Sequence, residues 1–188
     1  MPNEVEIKFA VPNPRELTRK LKSLGFRLKT PRTHEVNTLY DFPAQSLRRR
    51  GEMLRIRKYG KNWTVTHKAK GKPGRHKSRV ETETAVSDGM QAAAIFKSLG
   101  LGPIFRYEKF RAEWADGSSH LVLDETPIGT YAELEGPARW IDRTAKRLGI
   151  PVSDYITENY AGLFHTWKEK TRSRAEEMTF KAIKGRKR

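Results

Sequence analysis

Apolar residues recur along this chain with two different periods. Between residues 13 and 25 the spacing is helical. Leu17, Leu21 and Leu24 fall on one face, Asn13 can cap the first turn, Pro14 and Glu16 suit its first and third positions, and Gly25 can end it. The same punctuation predicts three more helices. One covers Ser87–Leu99, with Met90, Ile95 and Phe96 apolar and Gly100 as the stop. Another covers Ala138–Leu148, with Ile141, Ala145 and Leu148 on one face and Gly149 and Pro151 closing it. The last starts near Ser153, carries Tyr160, Leu163 and Phe164, and runs through Trp167 into a charged tail.

Elsewhere the period is two. Glu4–Phe9, Val36–Asp41, Met53–Lys58, Trp63–Lys68, Arg79–Val86, Arg106–Trp114, His120–Asp124 and Gly129–Glu135 all read as strands. Lys70–Arg75 reads as a loop and Asp116-Gly117-Ser118 as a hairpin turn. Eight short strands with few helices between them predict an α+β fold built on an antiparallel sheet or barrel, not a doubly wound parallel sheet.

Alternation puts every second side chain on one face. Glu4, Glu6 and Lys8 oppose Val5, Ile7 and Phe9. Arg55 and Arg57 oppose Leu54 and Ile56, and Lys68 lies with Thr64 and Thr66. Arg79, Glu81 and Glu83 share a face, as do Lys109, Arg111 and Glu113. Asp124 opposes Leu121 and Leu123, and Glu133 and Glu135 oppose Ala132 and Leu134. A half-solvated sheet alternates in this way too. Here, however, seven strands present ionisable residues of both signs. Were the sheet to close, these residues would face a common lumen, and helices would cover an apolar outer face.

Composition narrows the partner. Thirty-two per cent of the 188 residues are charged, the net charge is +16, and 36% are hydrophobic, enough for a core. There is no cysteine, which excludes disulfides, thiolate catalysis and Cys-ligated metal. No apolar run is long enough to span a membrane, and the first residues lack a signal-peptide pattern, so the expected location is cytoplasmic. Arg48–Arg79 holds thirteen basic residues and one acid, and His165–Arg188 nine basic and three acidic. The partner is therefore anionic. A purely basic groove would suit nucleic acid. Carboxylates mixed among Arg and Lys suit a phosphate chain carrying a hard divalent cation.

With those residues in view, the chain resembles the CYTH proteins, or triphosphate tunnel metalloenzymes. Glu4-Val5-Glu6-Ile7-Lys8 matches their E-x-E-x-K signature. Leu54-Arg55-Ile56-Arg57, the strand ending at Lys68, Arg79-Val80-Glu81-Thr82-Glu83, Lys109-Phe110-Arg111, Asp124 and Glu133-Leu134-Glu135 follow in the family's order. The resemblance implies a tunnel domain over residues 1–165, followed by a basic extension over 166–188, helical then flexible. It implies an eight-stranded antiparallel β-barrel with a polar, charged lumen and helices outside, acting on a triphosphate with Mg²⁺ or Mn²⁺. It makes Glu4, Glu6, Asp124, Glu133 and Glu135 metal-side residues. Lys8, Arg55, Arg57, Lys68, Lys109 and Arg111 become the phosphate clamp, with Arg79, Glu81 and Glu83 as further candidates.

Lys8 is the candidate catalytic residue, orienting a nucleophile or, by preference, balancing Glu4 and Glu6. The implied activity is a metal-dependent triphosphatase. The first alternative is a class IV-type adenylate cyclase, and the second is a noncatalytic binder of polyphosphate or RNA. His34, His67, His76, His120 and His165 lack ligand spacing, and Tyr40, Tyr160 and Phe164 read as packing residues. Asn159-Tyr160-Ala161-Gly162-Leu163 resembles a late S-Y-x-x-L motif of the cyclase-like branch, with Asn in place of Ser. Arg48-Arg49-Arg50 and the Lys70–Lys77 segment read as solvated turns able to steer anions.

Overall fold

The computed structural model describes residues 3–72, 74–117 and 119–184. Pro73 of the expected loop, Ser118 of the expected hairpin and Gly185–Arg188 of the tail lie outside these residues.

The eight strands are β1 (Asn3–Ala10), β2 (Arg27–Asp41), β3 (Met53–Tyr59), β4 (Asn62–Lys68), β5 (Lys77–Val86), β6 (Gly102–Ala115), β7 (His120–Thr126) and β8 (Gly129–Glu135). All neighbours pair antiparallel, and the sheet closes in the order β1-β5-β4-β3-β2-β6-β7-β8. The helices among the described residues are α1 (Pro14–Ser23), α2 (Ser46–Arg49), α3 (Gly89–Ser98), α4 (Ala138–Leu148), α5 (Tyr160–Thr171) and α6 (Phe180–Lys184). No helix among the described residues is long and apolar enough to cross a membrane.

Closure turns the sheet's apolar face outward. Ile7 and Phe9 of β1, Trp114 of β6, Leu121 and Leu123 of β7 and Leu134 of β8 pack beneath Leu17 and Leu21 of α1 and Ile141, Ala145 and Leu148 of α4. Each fully buried Leu or Ile there stabilises the fold by about 2 kcal/mol. The Asn13 side chain accepts a hydrogen bond from Glu16 N, so α1 begins at the expected residue. α3 starts at an Asp88 cap and lies against Trp63, where a Cβ on Gly89 would come within 2.1 Å of the indole ring.

Three local expectations are corrected. β2 begins nine residues before Val36. Its first half includes Pro31, which cannot donate to a ladder, and β6 follows it through register shifts on both sides of Thr30. The last long helix starts at Tyr160, not near Ser153. Val152–Asp154 forms a 3-10 turn, and Ile156 then exchanges backbone hydrogen bonds with Lys8 at 2.7 and 3.1 Å. Only after that does Asn159 cap the helix, accepting from Gly162 N at 3.0 Å. Arg48 and Arg49 belong to α2 rather than a turn. Asp41 holds its start by accepting from Leu47 N and Arg48 N.

α5 runs unbroken across residue 165. It meets one end of the barrel interior, where the inward positions turn apolar. Leu39, Met53, Phe105, Tyr107 and Tyr131 pack there with Tyr160 and Phe164. Met178, 0% exposed, joins the same cluster, so the chain after α5 folds back onto the barrel.

Candidate functional site

The rest of the lumen is a charged cavity of about 590 Å³. Period-two alternation on β1, β3, β5, β6 and β8 delivers Glu4, Glu6, Lys8, Arg55, Arg57, Arg79, Glu81, Glu83, Lys109, Arg111, Glu133 and Glu135 to its wall. Lys68 arrives from β4. Asp124 does not line the cavity. It is 0% exposed and sits behind Lys109 and Arg111.

Every clamp cation is already paired with a carboxylate. Lys68 Nζ lies 2.8 Å from both Glu4 oxygens and also bonds Glu81. Arg57 donates to Glu83 at 2.8 Å, and Arg55 reaches the same carboxylate at 3.5 Å. Lys109 and Arg111 bond Asp124 at 2.9 and 2.6 Å, and Arg111 reaches Glu133 at 2.7 Å. Among the described residues, no three His, Asp or Glu side chains are gathered so as to hold a metal ion. The lysines and arginines stand between the acids.

Lys8 balances more acids than the two expected of it. Its ion pair is with Glu133 at 3.0 Å, and it also donates to the Glu158 carbonyl at 3.1 Å. Glu4 is neutralised by Lys68 and Glu6 by Lys77. Burial pulls the Lys8 ammonium down, but Glu133 and Glu6 outweigh it and hold its pKa above the ordinary value.

The carboxylates split by environment. Burial pushes Glu133 up, but Lys8 and Arg111 overcome it and hold the carboxyl well below its usual range. Burial also opposes ionisation of Glu35, yet Lys109 and Arg111 draw its pKa down to about 2. Glu135 goes the other way. Although the residue is exposed, loss of water around its carboxyl and the charges of Glu4 and Glu6 push it up to about 7.

The sequence reading missed four participants. Lys77 and Glu35 lie just outside the strands as first drawn. Extending β5 two residues before Arg79, or β2 two before Asn37, puts both on the inward face. Tyr160 is both a packing residue and a lumen residue. Its hydroxyl donates to Asp124 at 2.7 Å, and its ring lies 4.7 Å from Lys8 Nζ and 4.8 Å from Lys109 Nζ. Asn159 also reaches the cavity wall. The histidines remain peripheral: His76 pairs with Asp142 at 2.8 Å and His67 with Glu52 at 3.4 Å.

A closed antiparallel barrel with its ions inside and its apolar face under helices is a charged-lumen barrel. The chain belongs to the CYTH domain family, whose model matches residues 2–139. It is 29% identical over 133 residues to a Methanocaldococcus jannaschii protein named a "putative adenylate cyclase", covering 70% of this chain and 75% of that one. A Vibrio parahaemolyticus "putative adenylate cyclase" has a similar fold, with TM-score 0.75, 21% identity, and coverage of 86% of this chain and 97% of that one. So does a Hippeastrum "putative adenylyl cyclase" described as having a dominant triphosphatase activity. Its TM-score is 0.65 at 20% identity, covering 88% of this chain and 96% of that one.

Proposed function

We propose that this protein is a divalent-metal-dependent phosphohydrolase that binds a triphosphate, inorganic or organic, in the lumen. One observation carries the reading: each cation of the clamp is held by a carboxylate, and the acids collect on the adjacent strands β5, β1 and β8. A triphosphate entering the cavity would take Lys68, Arg55, Arg57, Lys109 and Arg111 as partners. Glu4 would lose its lysine in the exchange. A barrel made only to bind anions gains nothing from acids set among its cations.

The donor set fits Mg²⁺ or Mn²⁺. It is all carboxylate oxygen, and the Glu135 carboxyl stands close enough to Glu4 and Glu6 to feel their charges. Glu4, Glu6, Glu133 and Glu135, kept apart by the lysines and arginines between them, would come together on the ion once a triphosphate draws those cations to its own oxygens. Asp124, whose oxygens accept from Lys109, Arg111 and Tyr160, would join them only by giving up one of those bonds, as Glu4 and Glu133 would theirs. A bound divalent ion supplies charge neutralisation and a bound water of lowered pKa.

The protein's own groups do the rest. Arg55 and Arg57 on one side and Lys109 and Arg111 on the other hold the phosphate oxygens. They stabilise the charge that grows on the leaving phosphates as the terminal P–O bond breaks and water oxygen bonds to phosphorus. Lys8, 3% exposed, keeps a fixed positive charge at the inner end. The apolar cluster around Tyr160 and Phe164 closes that end to water.

The name of the Methanocaldococcus jannaschii relative favours a second reading. In it the ribose 3′-hydroxyl attacks the α-phosphorus of ATP, and pyrophosphate leaves. The same clamp serves either reaction. The test is incubation with Mg²⁺ or Mn²⁺ and, separately, inorganic triphosphate, ATP and thiamine triphosphate, with Glu135→Gln as control. Phosphate release that vanishes in the control supports the hydrolase. Cyclic AMP with pyrophosphate moves the protein to the cyclase. No metal-dependent product from any of the three sinks both readings.

A further inference from the structure

We propose that Glu35 is a built-in counter-ion of the phosphate clamp, occupying from behind the charge that a substrate phosphate takes from the cavity side. The inference rests on the triphosphate reading of the cavity. Its basis is a contrast between two buried carboxylates on either side of the same cations.

Asp124 is a positioning anion. Its oxygens take contacts of 2.6–2.9 Å from Lys109, Arg111 and the Tyr160 hydroxyl. Glu35 is equally buried, at 0% exposure, but it holds the same two cations loosely. Its Oε1 lies 3.4 Å from Lys109 Nζ and accepts from Asn37 Nδ2 at 2.8 Å. Its Oε2 has no hydrogen-bond partner and stands 3.8 Å from Arg111 Nε. A carboxylate that keeps one oxygen unbonded in a dry interior contributes charge more than geometry, since an unmade buried hydrogen bond costs free energy.

Lys109 and Arg111 face the cavity, whereas Glu35 does not line it. The clamp is thus partly neutralised before any ligand arrives. The chemical consequence concerns release. Lys109, Arg111, Arg55 and Arg57 without Glu35 would hold a phosphate chain, or the phosphate left after cleavage, too tightly for turnover. With Glu35 present, ground-state binding is weakened and product can leave.

The test is titration calorimetry of the full chain with inorganic triphosphate in EDTA, so that no metal or turnover enters. Glu35→Gln keeps the size of the side chain and removes its charge. It is expected to bind triphosphate about tenfold more tightly than the unmodified protein, the scale of one partly screened unit charge. Glu35→Asp, which keeps the charge, is expected to return the affinity to the unmodified value. In turnover assays with metal, Glu35→Gln should lower KM and kcat together. A merely structural role would lower the melting temperature and leave the affinity unchanged.

Equal or weaker binding by the folded Gln variant overturns the inference. So does a Glu35→Asp protein that binds as tightly as the Gln variant. Should Glu35→Gln not fold alone, refolding it with inorganic triphosphate decides the matter. Rescue by the added anion supports the counter-ion role, and failure of rescue overturns it. An unmodified protein that binds triphosphate neither in EDTA nor with Mg²⁺ fells the triphosphate reading and this inference with it, whereas binding seen only with Mg²⁺ fells this inference alone. Binding by the unmodified protein that the variants do not alter fells this inference alone.

Discussion

On the β2–β6–β7 side of the lumen, Asp124 is 0% exposed and its oxygens take four short hydrogen bonds from Lys109, Arg111 and Tyr160. On the β1–β8 side, Glu135 is exposed beside Glu4 and Glu6, and its carboxyl is pushed up to about 7. Both residues project inward from neighbouring strands. One wall spends its negative charge on holding cations in place. The other pairs Glu4, Glu6 and Glu133 with Lys68, Lys77 and Lys8 and sets Glu135 beside two of those acids. In the proposed function the first wall serves as scaffold and the second as the surface that meets the metal, since saturation rigidifies and a desolvated acid beside other acids favours a cation.

Removing the saturated anion should have the largest effect. Asp124→Asn leaves Lys109 and Arg111 buried with one compensating charge fewer. Loss of one partner of a buried pair costs about 3–5 kcal/mol. Urea denaturation should show that loss, and a cost under about 1 kcal/mol would mean Glu35 and Glu133 suffice to hold the pair.

A smaller loss is expected from Tyr160→Phe. It removes only the hydroxyl donated to Asp124, worth about 1–2 kcal/mol for a bond to a charged group. Triphosphate affinity should fall with it, because Asp124 loses a bond that fixes it against Lys109 and Arg111. Unchanged stability would place Tyr160 with the apolar plug alone.

The second wall should respond to pH, and with the opposite sign. Glu135 has an ordinary pKa of 4.5 and a folded value of about 7. Between those values the folded state holds more protons, so stability falls as pH rises and the penalty is complete above pH 7. Without metal, Glu135→Gln should therefore melt higher than the unmodified protein at pH 8 and equally at pH 4. Adding Mg²⁺ at pH 8 should raise the melting temperature of the unmodified protein more than that of the variant. A variant that melts lower than the unmodified protein at pH 8 would show that Glu135 is stabilised as an anion.

Much of this was legible from residue order. The Asn13 cap, the limits of α4 and the ionic face of seven strands follow from spacing alone. Glu35 was not legible, because the polar stretch with Pro31 hides the first half of β2, which only its long pairing with β6 reveals. Lys77 was hidden in the same way by the loop before β5. The displacement of Asp124 from the cavity wall was not legible either. Its motif is intact, but the Tyr160 hydroxyl comes from a helix far along the chain.

By itself the sequence determined which side chains share a face. The pleat sends successive residues to opposite sides whatever lies beyond the strand. Its residue types also made one of those faces ionic and the other apolar. Only the tertiary structure decided that the ionic face is the inside, because that depends on β1 finding both β5 and β8 to close the sheet. It also decided which acid meets which base. Lys68 and Glu4 are 64 residues apart, and charges choose partners by distance across a closed, staggered barrel rather than by position along the chain.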